Sequence, residues 1–103
     1  MGVDSYIGRA LRKYQTPSQM RQGIGGAAGK CGYTLEPEIK GNITTLRVLR
    51  PGVKRFLRRL PDTPVVDLSY DSSIERLQDA NVDINVYDDD LARELLIKLN
   101  EGN

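Results

Sequence analysis

The stretch YTLEPEIKGNITTLRVL, residues 33–49, decides the fold. Two extended segments, Tyr33 to Ile39 and Ile43 to Leu49, flank Lys40-Gly41-Asn42. A short glycine-containing break between two such runs predicts a β-hairpin. Pro37 has no N–H for a ladder, so the first arm is expected at a sheet edge.

Towards the N-terminus, Val3, Tyr6, Ile7, Ala10, Leu11 and Tyr14 repeat at helical spacing, with Arg9, Arg12 and Lys13 off the stripe. They predict an amphipathic helix near residues 4–14. Thr16 followed by Pro17 reads as an N-cap and a first-turn proline, so a second helix starts there. It runs into Gly23, Gly25, Gly26 and Gly29, each costly inside a helix, and Gly32 is its latest stop.

Towards the C-terminus, Pro51 is expected to open a short helix that buries Val53, Phe56, Leu57 and Leu60, closed by Pro61 and Pro64. Val65 to Tyr70 reads as a strand. Ser72 and Glu75 form a capping-box pattern for a further short helix, with Ile74 and Leu77 inward. Val82, Ile84 and Val86 alternate with Asp83, Asn85 and Tyr87 as a half-buried strand. Asp88, Asp89 and Asp90 favour a helix N-terminus, and Leu91, Ala92, Leu95, Leu96 and Leu99 stripe that last helix. The expected order is α-α-β-β-α-β-α-β-α. That is an α+β sandwich of about four strands in one domain, residues 1–103; a mixed α/β variant would carry a parallel pair in its last half.

The bulk numbers suit this reading. The chain has 103 residues, 39% hydrophobic and 28% charged, which is ordinary for one globular domain. A single cysteine, Cys31, excludes an internal disulfide and fits a reducing, cytoplasmic setting. No apolar run approaches the roughly 18–20 residues that cross a bilayer, and the first residues lack a signal-peptide stretch, so a soluble chain is expected.

Chemistry has little to work with. There is no histidine, which removes the commonest general base and metal ligand. Cys31 alone makes no zinc site and reads as a small packed side chain. Asp67 and Asp83, with Asp71 and Asp88 at strand ends, are the residues a magnesium-dependent enzyme would use. Yet Asp67 and Asp83 alternate with apolar residues, as solvent-facing positions do. A nuclease-like use of Glu38, Lys40 and Asp62 runs against the usual chain order. Gly23 to Lys30 fits G-x-G-x-x-A, but a phosphate loop needs a strand before it, and here a helix precedes. Close packing is the simpler role, with Gly25, Gly29 and the alanines letting another backbone approach within the domain or across a subunit contact. No catalytic residue, metal site or cofactor is assigned.

Charge carries more information. Residues 1–60 hold 12 Lys and Arg against three acids, a net of +9, whereas residues 61–103 hold three bases against 11 acids, a net of −8. Arg47, Arg50, Lys54, Arg55, Arg58 and Arg59 cluster within 13 residues. On the expected helix after Pro51, four of them would share the face opposite the apolar stripe. Arginines of this kind pair with phosphate, so the leading expectation is a non-enzymatic module contacting nucleic acid backbone. The alternative is an assembly subunit, viral or secretion-type, whose opposite charges join copies head to tail; an acidic protein surface would be the partner. A metal-dependent enzyme is the third.

Two resemblances accompany these readings. The first helix, Thr16-Pro17, the glycines and the hairpin look like a winged helix-turn-helix. Residues 18–60, with Gly32-Tyr33-Thr34-Leu35 and Lys40-Gly41-Asn42-Ile43-Thr44 between a helix and a strand plus short helix, are similar in order to the small N-terminal domains of secretins. The likeness covers under half the chain.

Overall fold

The computed structural model describes residues 2–101, apart from the side chain of Arg55. Helices α1 (Val3–Leu11) and α2 (Pro17–Cys31) lead into strands β1 (Thr34–Lys40) and β2 (Ile43–Arg50). Two short strands, β3 (Lys54–Arg55) and β4 (Arg58–Arg59), come next. Then follow β5 (Thr63–Asp71), a 3-10 turn (Leu77–Asp79), β6 (Asp83–Val86) and α3 (Asp89–Glu101). This is an α+β domain.

Local signals explain most of the elements. Thr16 Oγ1 accepts the N–H of Gln19 at 3.2 Å and caps α2, whose first residue is Pro17. The helix continues through its glycines to Cys31 and stops where Gly32 turns left-handed at φ 79°. The 23–30 segment therefore lies inside α2, where it forms no phosphate loop. Of the residues expected to pack closely, Ala27 and Ala28 are buried, but Gly25 makes only ordinary contact with Leu35 and Gly29 faces open space. A Cβ on Gly23 would meet the Tyr14 hydroxyl at 2.0 Å, whereas Gly26 and Gly29 have nothing within 4 Å. Asp88 Oδ1 accepts the N–H of Leu91 at 3.0 Å and starts α3.

The four long strands form one antiparallel sheet in the order β1-β2-β5-β6. The parallel pair of the mixed variant is absent: β5 and β6 run antiparallel, joined by a connection too short for a crossover. That connection holds no α-helix either. Asp71 takes the N–H and hydroxyl of Ser73, and only the 3-10 turn forms, with Leu77 buried as expected.

All three helices cover one sheet face. α2 lies on β1, α3 on β5 and α1 on β6, with α3 packed between the other two. Ile7, Met20, Ile24, Leu95 and Leu99 meet Leu46, Val48, Val66 and Leu68 in a single core, each at most 1% exposed. Lys13 Nζ donates to the Leu99 carbonyl and satisfies the C-terminal end of α3. The other face, which the ladder register gives to Glu36, Glu38, Thr45, Arg47, Asp67, Ser69, Asp83 and Asn85, has no helix over it.

The helix expected over residues 51–60 is the main correction. The chain instead forms a hairpin: Lys54 pairs with Arg59 and Arg55 with Arg58 across a Phe56-Leu57 turn. Gly52 permits this, because a Cβ there would meet the Leu60 carbonyl at 1.8 Å. A hairpin in this place also replaces the short helix that ended the likeness to secretin N-terminal domains, while the helix and two strands before it are present. The glycine-rich α2 likewise packs as a core helix and does not project as a recognition helix.

Tyr33 joins the end of α2 to α3. Its hydroxyl donates to Glu94 Oε2 at 3.0 Å and lies 3.2 Å from the Leu91 carbonyl. Burial first, and Glu94 second, push its ionisation well above the ordinary value. Burial also raises Tyr14, Tyr70 and the Cys31 thiol. The folded state thus keeps protons that the unfolded chain releases above about pH 9 for a thiol and 10 for a phenol. Stability is therefore complete below that range and declines as pH rises through it. Thermal melting between pH 7 and 11 should show Tm flat and then falling. Tyr33→Phe should lose about 1 kcal/mol at pH 7 and soften the alkaline decline; a Tm unchanged to pH 11 contradicts this account.

Candidate functional site

The six cationic residues picked out from the sequence do not share one face. Arg47 sits mid-strand on β2, on the helix-free side of the sheet. Its Nη2 lies 3.3 Å from Glu38 Oε2 and its Nε 3.4 Å from Asp67 Oδ1. Asp67 also accepts the Tyr87 hydroxyl at 2.8 Å, the first cause of that phenol's raised ionisation. A carboxylate expected to face solvent is thus only 9% exposed and held between a guanidinium and a phenol. This knot ties β1, β2, β5 and the end of β6 together; two carboxylates hold the one guanidinium, and Lys40 Nζ adds a second cation 3.3 Å from Glu38 Oε1.

The remaining five lie on or beside the β3–β4 arm. Arg50 ends β2 at the arm's base and is exposed. Asp62 Oδ1 accepts the Gly52 N–H at 2.9 Å and stands 3.9 Å from Arg59 Nη2, fixing the base from the other side. Lys54 and Arg58 are exposed and make no ion pair with a carboxylate among the described residues. The side chain of Arg55 lies outside the described residues.

The arm reverses the expected burial. Phe56 and Leu57 at its tip are each 99% exposed, Val53 63% and Leu60 47%. Phe56 also adopts φ 53°, a left-handed conformation uncommon for a bulky side chain. Like charges stand directly opposite in both ladder pairs, an unfavourable arrangement for a strand pair. β3 and β4 pack chiefly on each other. The tip is thus an apolar pair carried on a cationic stalk, built against local preference. Sequence reasoning missed this because positions 53, 56, 57 and 60 also fit a helical stripe. The available signal was the bracketing by Pro51-Gly52 and Pro61.

Hollows elsewhere on the surface include two of note. A broad one of about 1240 Å³ between α1 and the 3-10 turn is lined by Arg9, Arg12 and Arg76 over Leu11, Met20 and Leu77, with no carboxylate in its lining. A smaller one of about 310 Å³ sits where β2 begins and β5 ends. Ile43, Tyr70 and Ile74 contribute apolar surface to it, Asp71, Asp79 and Asp83 its charge, and no cation lines it. No group of three or more metal-ligating side chains is poised for an ion among the described residues. No helix among them is long and apolar enough to cross a membrane. No family model, curated protein or solved structure matches the chain.

Framework and arm cations should separate in a urea titration. Arg47→Ala leaves Asp67 short of its partner and should lower stability by about 1–2 kcal/mol. Lys54→Ala and Arg58→Ala should change it by under about 0.5 kcal/mol, or raise it slightly by removing repulsion. Equal losses at all three positions contradict the division.

Proposed function

We propose that this chain is a non-enzymatic assembly subunit that associates with copies of itself through the β3–β4 arm. The single observation that carries the reading is the Phe56-Leu57 tip, 99% exposed and flanked by cations. Large apolar side chains held out in water by a strained turn gain their burial only when a partner covers them. Aromatic and arginine side chains are also the usual energetic anchors of protein interfaces. The acidic second half of the sequence supplies a surface of opposite charge on the same molecule. The absence of histidine from the chain supports a role outside catalysis.

Nucleic acid is the second reading, and one observation favours it: Lys54 and Arg58 carry no internal ion pair among the described residues. Against it, Arg47 is matched by Glu38 and Asp67, and Arg59 stands beside Asp62. At the arm this leaves Arg50, Lys54 and Arg58 without an ion pair among the described residues, a narrow patch for a phosphate backbone.

Light scattering coupled to size-exclusion chromatography discriminates the two. The wild-type chain should exceed its 11.5 kDa monomer mass as concentration rises at low salt, and Phe56→Ser with Leu57→Ser should hold it at the monomer. A strict monomer that instead binds a labelled 20-base-pair duplex, with affinity falling steeply with salt, overturns assembly in favour of the polyanion.

A further inference from the structure

Resting on the assembly reading, we infer that the acid-rimmed hollow at the far end of the sheet is the socket for the arm of a second copy. Of the two hollows described above, charge favours the smaller. The larger is lined by three arginines and would repel a cationic stalk. The smaller offers an apolar surface of Ile43, Tyr70 and Ile74 under Asp71, Asp79 and Asp83, the complement of an apolar tip between cations. Asp71 is held below the usual carboxylate range by the N–H and hydroxyl of Ser73, so it stays charged through neutral pH. At about 310 Å³ the hollow has room for a side chain or two, near the lower limit of small-molecule sites.

Topology makes the contact intermolecular. The arm leaves the sheet where β2 ends and β5 begins, and the hollow lies where β2 begins and β5 ends. At roughly 3.3 Å per residue, the length of β2 puts them about 25 Å apart, while the six residues from Arg50 to Phe56 span at most about 20 Å and leave the sheet at the opposite end. A donor surface at one end and an acceptor at the other is a heterologous pair. Repeated, it gives a ring where the rotation closes and a filament where it does not. The contact is small, so each joint is weak and strengthened by low salt.

Complementation tests the inference. One variant, Phe56→Ser with Leu57→Ser, loses the tip and keeps the hollow. The other, Asp79→Lys with Asp83→Lys, loses the rim and keeps the tip. All four positions are exposed, and a thermal melt checks that each variant folds. Each alone should self-associate at least tenfold more weakly than wild type, measured by sedimentation up to about 1 mM. Mixed in equal amounts they should form a 1:1 dimer that grows no further, because one intact tip and one intact socket remain. A rim variant that associates like wild type overturns the socket while leaving arm-driven assembly standing, as does a mixture that stays monomeric. A wild-type chain that is monomeric throughout removes both.

Discussion

The pairing of β2 with β5 is the constraint on which the rest of the molecule depends. These strands, Ile43–Arg50 and Thr63–Asp71, lie side by side in the middle of the sheet, and the core packs on Leu46, Val48, Val66 and Leu68 from them. Once they are neighbours, the residues between them have no place in the ladder. They leave at one end of the sheet as a hairpin, while the residues after β5 double back at the other. Arm and hollow are therefore the two ends of one strand pair, and their separation is set by the length of that pair.

Much of this architecture was legible in the chain itself. The first two helices, the cap at Thr16, the hairpin around Gly41, the strand at Val65 and the last helix after Asp88 all follow from spacing and capping chemistry. The segment 51–60 was misread because a short run has too few residues to separate a period of 3.6 from a two-stranded turn. Burial decides between them, and the three helices already occupy the only apolar sheet face. Asp67 was misread for a related reason: alternation identifies a face, and it does not say whether that face contains partners. Here Arg47 and Tyr87 close over the carboxylate.

The candidate site was half legible. The cationic cluster was visible, but its division was not, since Arg47 and Arg58 look alike along the chain. Folding gives Arg47 to Glu38 and Asp67 and leaves Arg58 in water. The linear contrast between a basic front and an acidic rear is thus partly cancelled across the β2–β5 ladder. What survives includes the exposed cations of the arm and the carboxylates around the distant hollow.

The lateral borders of the sheet add a last consequence. β1 carries Pro37 and the charged Glu36, Glu38 and Lys40, and β6 is only four residues long, beginning with Asp83. A proline without a donor, charged side chains and a short strand all oppose the addition of another chain alongside. Sideways growth into cross-β fibres is therefore disfavoured at both borders. Both borders are thus poor templates for amyloid-like stacking.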